Sequence, residues 1–294
     1  MLRHLVSTSA APVRVVVVGA GGFVGGAIAR HLVGQGAAVL ALGRRDLDLL
    51  AIDAGDRLAD MLRPDDAVVM ASAQAPCRTA AMMTANVRMA EAVCDALVRR
   101  PAAHLVYISS DAVYADSPAP LRETSPAAPG TLHGAMHVAR EQMLASIAGD
   151  MPLAILRPTL IYGRSDPHNG YGPNRFRRLA NRGEPIALFG EGEERRDHVD
   201  VDDVAAVAGA VLSRRSRGIL NVATGEVTSF RSIAEQAVAL ARRSVPIRSV
   251  PRQGPMPHNG YRAFDPAATA AAFPGFRYTA LADGLARAQL DEFG

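Results

Sequence analysis

The stretch Val13 to Gly26, VRVVVVGAGGFVGG, constrains the fold more than any other part of the chain. From Val13 to Val18 every residue except Arg14 is valine, with no alternation of polar and apolar positions, so the run suits a strand buried on both faces of a parallel sheet. A glycine-rich turn follows at once. Gly19, Gly22 and Gly25 are spaced G-x-x-G-x-x-G and open a predicted helix from Phe23 to Val33. Gly19 allows the tight turn, Gly22 lets the backbone approach a phosphate, and Gly25 lets the helix pack closely on the strand. With Phe23 and Val24 in the first helical turn, the free amides there would face the pyrophosphate of a dinucleotide.

At 294 residues the chain can bury a large core, either as one α/β domain or as a domain with an appendage. The second is expected, with a doubly wound dinucleotide-binding domain over 12–160 and a mainly substrate-binding portion over 161–294, whose later segments return to the sheet. Net charge is only +3 and the arginines are scattered, without the basic stripe of a nucleic-acid binder. Cys77 and Cys94 cannot make a disulfide framework, which points to a reducing compartment. The chain has no apolar run of membrane-spanning length, and MLRHLVSTSAAP lacks the apolar middle of a signal peptide, so a cytoplasmic protein is expected. There is no lysine; all 32 residues counted as Lys and Arg are arginine. Chemistry that needs a lysine ammonium, Schiff bases included, is thereby excluded.

Ala37 to Leu42 reads as a second strand ending in Gly43-Arg44-Arg45. In dinucleotide folds this position meets the adenosine ribose, where an acidic residue suits a free 2′-hydroxyl and arginine a 2′-phosphate. Arg44 and Arg45 therefore favour NADP, with NAD possible. Ala67 to Ala71 is a third strand, and Ala71-Ser72 offers small side chains beside a cofactor. A helix is predicted over Thr79–Arg99 and a fourth strand over Leu105–Ser109, leading into Ser110-Asp111-Ala112-Val113-Tyr114. After a Pro-rich loop the pattern gives a helix at Leu132–Ala148 and a strand at Leu153–Leu156 that ends at Arg157-Pro158. The aperiodic stretch Arg164–Asn174 reads as a substrate loop. A short helix from Asn174, a strand at Ile186–Phe189, a charged turn, a helix at Asp200–Leu212, a strand at Gly218–Val222 and a helix at Ser229–Arg242 capped by Ser229 complete the reading.

GAGGFVG at Gly19–Gly25, ISSDAVY at Ile108–Tyr114, LRPTLIYG at Leu156–Gly163 and RRDHVDVDDV at Arg195–Val204 together resemble the extended short-chain dehydrogenase/reductase family of nucleotide-sugar epimerases, dehydratases and reductases. The resemblance covers nearly the whole chain. It implies a Rossmann domain that binds NAD(P), with Pro158 at the cofactor, and a C-terminal portion closing over a nucleotide-diphosphate sugar. It also implies that Arg196 meets the diphosphate and that Tyr162, His168, Asn174 and Arg175 are candidates to touch the substrate. A homodimer through the helices at Thr79–Arg99 and Leu132–Ala148 is implied too. The segment ALGRRDLDLL is similar to that of NADPH-using ketoreductases of the family. Ser110-Asp111 resembles their Ser/Thr-Asp pair, while Ala112 stands where dehydratases carry Glu.

The family's Tyr-x-x-x-Lys motif is replaced here by His133-Gly134-Ala135-Met136-His137. Residues four apart share a helix face, so both imidazoles can point at one ligand. The expected assignment is His133 as acid/base, Ser110 and Asp111 as its partners, and His137 on the cofactor ribose. Tyr114, Tyr162 and Tyr171 are possible substitute acids, and no metal site is expected. The chain reads as an NADP-dependent reductase or reductase-epimerase of a nucleotide-diphosphate keto sugar. A nucleotide-sugar 4-epimerase with tightly held cofactor and a non-catalytic dinucleotide-binding regulator are the alternatives.

Overall fold

The computed structural model describes residues 1–293. Its first strand, β1 (Arg14–Val18), has its four valines at 0–2 % exposure, as a run without polar alternation requires. In chain order, α1 (Phe23–Gly34), β2 (Val39–Leu42), α2 (Ala54–Met61), β3 (Asp66–Met70), α3 (Ala80–Arg99), β4 (His104–Ile108), α4 (Leu132–Ala148) and β5 (Leu153–Pro158) follow. Later come β6 (Leu160–Tyr162), α5 (Pro173–Arg182), β7 (Ile186–Phe189), β8 (Arg195–Asp200), α6 (Val201–Ser213) and β9 (Gly218–Val222). The chain continues through β10 (Val227–Ser229), α7 (Phe230–Ala241), β11 (Ile247–Val250), β12 (Tyr261–Arg262), α8 (Ala267–Ala272) and α9 (Leu281–Phe293).

Six parallel strands form one sheet in the order β2-β1-β3-β4-β5-β9. One face is covered by α1 and α6, the other by α2, α3 and α4, which gives two apolar layers around the sheet. The chain reverses its winding beside β1, and in open α/β sheets ligands bind at the carboxyl ends of the strands near such a point. No helix among the described residues is long and apolar enough to cross a membrane.

Helix starts follow local chemistry. Thr79 accepts from the Met82 amide to cap α3, Thr131 accepts from the Gly134 amide to cap α4, and Ser229 accepts from the Ser232 amide to cap α7. The expected bounds of α4, β7 and β9 match the observed ones. The expected charged turn occupies 190–194, but it is followed by an unexpected strand, β8, at the centre of a small sheet with β6, β10 and β12. Arg195 at its start is exposed, and the charges that follow are buried with partners. Asp197 accepts from Thr159 Oγ1 and from the amides of Thr224 and Gly225, and Arg196 pairs with Glu194. A third apolar cluster lies between α5, α7, α9 and the β7–β11 pair.

One buried ion pair fixes α4 to the sheet. The Glu141 carboxylate takes Arg157 Nε at 2.9 Å and its terminal nitrogen at 2.5 Å, and accepts Ser109 Oγ at 2.6 Å. All three residues are buried, so β4, β5 and α4 meet at a single carboxylate. Removing one partner of such a pair strands the other charge away from water. Glu141→Ala is therefore expected to lower unfolding free energy by about 3–5 kcal/mol in denaturant titrations, and a loss within experimental scatter would show that packing alone seats this helix.

Candidate active site

A cleft of about 1190 Å³ opens along the carboxyl ends of the sheet strands. At one end it is lined by Gly22, Phe23, Val24 and Ala71, in the middle by Ser110, Asp111, His133, His137 and Pro158, and beyond these by His168, Asn174, Arg196 and His258. The glycine loop is as crowded as its spacing implied. Gly19 has φ +97°, and a Cβ there would lie 2.5 Å from the Ser72 amide nitrogen; a Cβ on Gly25 would lie 2.2 Å from the Gly19 carbonyl oxygen. Helix α1 begins at Gly22 with no side-chain cap and no acidic residue in its first turn, so its amides are free for an anion. These residues fit a dinucleotide pyrophosphate.

Arg44 and Arg45 are exposed at the end of β2, beside the glycine loop and outside the cleft proper. A Cβ on Gly21 would come within 3.6 Å of Gly43 Cα. The nearby Asp46 carboxylate is occupied by the Gly43 amide at 2.8 Å, and Asp48 accepts from the Leu50 amide with Arg44 at 3.4 Å. Ser72 turns away from the cleft. Its hydroxyl is buried without a partner, and its carbonyl accepts a 2.6 Å hydrogen bond from Arg140.

Gly134 explains how the histidine pair reaches Ser110. A Cβ there would lie 2.0 Å from the Ala112 carbonyl oxygen, so α4 begins in contact with the short 3₁₀ turn Asp111–Val113. Ser110 Oγ caps that turn by accepting the Ala112 amide at 3.1 Å. Its own hydrogen has only Asp111 Oδ1, at 3.4 Å, as a protein acceptor among the described residues. Asp111 itself is committed to structure. It is buried, and its Oδ2 accepts Arg262 Nε at 2.9 Å, so it serves as an ion-pair partner and is not free as a catalytic base.

The two imidazoles stand edge to face with centroids 4.7 Å apart. His133 Nδ1 accepts the Cys77 amide at 3.3 Å, which places the ring proton on Nε2. His137 Nδ1 lies 2.7 Å from the Tyr107 hydroxyl. Tyr107 is fully buried and burial pushes its hydroxyl up to about 12, so it keeps its proton. That O–H has no other acceptor among the described residues, so it donates to Nδ1 and leaves His137 also protonated on Nε2. Burial lowers the pKa of both rings, and for His137 the neighbouring His133 and Arg140 add to it. Both histidines are therefore neutral hydrogen-bond donors at neutral pH.

The expected substrate residues divide. Arg196 is buried at the cleft wall and paired with Glu194 at 3.1 Å, and His168 is exposed in the same wall. Asn174 reaches the cleft, but its amide is spent on Asp166 and on the Gly163 amide. Arg175 faces solvent away from the cleft. Tyr162 is a correction of a different kind. It sits at 1 % exposure in the C-terminal core, against Gly284 of α9, and does not line the cleft. Tyr114 bonds Asn221 with its hydroxyl, and Tyr171 accepts the Phe189 amide.

Four residues escaped the sequence reading. Tyr107 and Arg140 lie behind His137. His258 Nδ1 contacts Asp116, and Arg262 ties Asp116 to Asp111. Arg140 alone had a readable signal, since it follows His137 by three on the same helix face.

The profile of the NAD dependent epimerase/dehydratase family matches residues 15–223. The chain is 29% identical over 264 residues to dTDP-6-deoxy-L-talose 4-dehydrogenase (NAD(P)(+)) of Kitasatospora kifunensis, covering 82% of this chain and 83% of that relative. It is 29% identical over 256 residues to UDP-glucose 4-epimerase of Mycolicibacterium smegmatis, covering 75% and 80% respectively. Among solved structures, UDP-glucose 4-epimerase of Thermus thermophilus in complex with NAD superposes with a TM-score of 0.83 at 24% identity, covering 95% of this chain and 98% of that one. With the glycine loop, the parallel sheet and a family profile spanning most of the chain, this protein belongs to the NAD dependent epimerase/dehydratase family of enzymes.

Proposed function

We propose that the chain is an NADP-dependent oxidoreductase acting at C4 of a nucleotide-diphosphate keto sugar. The observation that carries this is one continuous cleft joining the glycine loop to Arg196, with Ser110, His133 and His137 between them. The two relatives above are named for chemistry at C4, one a dehydrogenase and one an epimerase. NAD(P), when bound, supplies or takes up the hydride. The chain's own residues do the remaining work. The α1 amides hold the pyrophosphate, and Arg44 and Arg45 receive the 2′-phosphate, because both carboxylates near that strand end already have partners. Arg196 meets the sugar-nucleotide diphosphate.

At the carbonyl, His133 is suited to act as a neutral electrophile. With Nδ1 held by the Cys77 amide, its Nε2–H can only donate, and it polarises the sugar oxygen as negative charge develops there. Ser110, whose hydroxyl hydrogen lacks a close protein acceptor, relays the proton from water in the cleft to that oxygen. Acid catalysis by a charged His133 would need a second N–H facing the Cys77 amide. The second reading, a 4-epimerase that cycles its cofactor internally, draws on the epimerase among the relatives.

Incubation with NADPH and a panel of nucleotide-linked 4-keto sugars, following absorbance and product together, separates these readings. Stoichiometric loss of NADPH is expected; interconversion of sugars without net loss would establish the epimerase, and dinucleotide binding without turnover a regulator. His133→Phe should lower kcat about 10²- to 10³-fold with NADPH affinity nearly unchanged. A wild-type rate falling tenfold per unit from pH 7 to 9 would replace the electrophile with a charged acid. Replacing Arg44 and Arg45 together by alanine should raise KM for NADPH about 10- to 100-fold with little change for NADH, as expected for losing charge-assisted phosphate contacts.

A further inference from the structure

Arg140 is fully buried on α4, yet no carboxylate pairs with it among the described residues. Its contacts are the Ser72 carbonyl at 2.6 Å, Met136 Sδ at 3.8 Å and the face of Tyr107, whose ring centre is 5.2 Å from the guanidinium carbon. Its Nε is buried with no partner at all. An uncompensated buried charge is costly, and the usual remedy, a facing carboxylate, is absent although Glu141 is the next residue; that carboxylate is turned to Arg157. A cation kept in this state acts on whatever titratable groups surround it. Those groups are His137 and His133 from its own helix, Tyr107 from β4 and Cys94 from α3.

We propose that Arg140 is the fixed cation of this active site, a positioning residue that acts through Tyr107 and His137 to hold His137 as a neutral Nε2–H donor facing the cleft. The geometry gives two linked reasons. The guanidinium over the Tyr107 ring and the Tyr107 hydroxyl on His137 Nδ1 form one stack from cation to imidazole, so a second proton on His137 would face both an O–H donor and a nearby positive charge. The same guanidinium grips the carbonyl of Ser72, whose amide lies against Gly19, and so ties α4 to the glycine loop. The other neighbours do not counter this. Cys94 is pushed up to about 11 by burial and stays a thiol, Tyr107 stays protonated, and His133 is itself neutral. His137 thereby offers one unchanging donor to a hydroxyl of the cofactor or the sugar over the working pH range. The inference rests on the site assignment above, but its test needs no turnover.

The test is side-chain nitrogen NMR of histidine-labelled full-length protein without substrate, with His137→Gln used to assign the signal. In the wild type His137 should remain in the Nε2–H form from pH 8 to pH 5.5. In Arg140→Met the same ring should take up a second proton inside that window, its midpoint rising by at least about one pH unit. Arg140→Gln retains an amide donor but no charge, and should shift His137 in the same way, whereas a residue that only bridges to Ser72 would leave the Gln variant like the wild type. An unmoved midpoint in either variant overturns the proposal, and so does a wild-type His137 found charged or protonated on Nδ1 at pH 7. The wild-type measurement can overturn the proposal even where one variant fails to fold, and the Met and Gln variants each test Arg140 against burial alone. Loss of the sugar-nucleotide activity would count against the reaction assigned above, and an unmoved imidazole against Arg140 alone.

Discussion

The site depends on where α4 is seated, and that is decided by one carboxylate. Glu141 gathers Ser109 from just past the end of β4 and Arg157 from β5, and Arg157 in turn lies over the Tyr114 ring with its carbon 4.9 Å from the centre. His133, His137 and Arg140 lie on the same stripe of the helix as Glu141, so fixing one fixes the others' height above the sheet. Gly134 settles the remaining freedom by letting the first turn touch the Ala112 carbonyl. The clamp and the glycine together bring two imidazoles into the cleft that Ser110 lines, where their Nδ1 atoms are held by the Cys77 amide and the Tyr107 hydroxyl.

Electrostatically the cleft is unlike one built on an acid and a base of opposite charge. Its central groups are uncharged donors: the Ser110 hydroxyl and two imidazoles protonated on Nε2. Charge is kept to the edges. Arg196 lies at the far wall and Arg44 and Arg45 outside the cleft beside the glycine loop, while Asp111 is neutralised by Arg262. In the proposed reaction such an arrangement would stabilise negative charge that develops on a bound oxygen without attracting a resident anion there beforehand, which is the condition for stronger binding of the transition state than of the ground state.

How much of this was legible in the sequence varied with how local the cause was. The β1–loop–α1 unit was readable because a valine run and three spaced glycines each meet a demand within a few residues. The bounds of α4 were readable from the pattern after the Pro-rich loop, and the structure sets them with Thr131 as cap and Gly149 beyond the end. Strand β8 was missed because RRDHVD looks solvated until Glu194, Thr159 and the 224–225 amides are brought to it from elsewhere. Tyr162 was misplaced because a three-residue strand carries no readable inward face; α9, far along the chain, supplies the core it enters. Asp111 had the right neighbours for catalysis but its partner Arg262 is 151 residues away. Arg140 was passed over because a lone arginine in a helix is ordinarily a surface residue.

The use of arginine alone for cations bears on that last case. A buried ammonium is driven toward its neutral form, since desolvation lowers a lysine pKa readily, whereas a guanidinium remains charged in the same surroundings. Arg140, Arg157 and Arg262 all stand at 0–3 % exposure, a depth at which lysine would tend to lose its proton. Guanidinium also presents several donors in a plane, so Arg262 can hold Asp111 and Asp116 at once and Arg157 can hold both oxygens of Glu141. With arginine as its only strong cation, the chain can set permanent charges behind the cleft and leave the groups in front of it neutral. The histidine pair then belongs to the same design, for an imidazole kept neutral first by burial and then by its neighbours, with a permanent cation behind it, is a donor whose strength does not vary with pH.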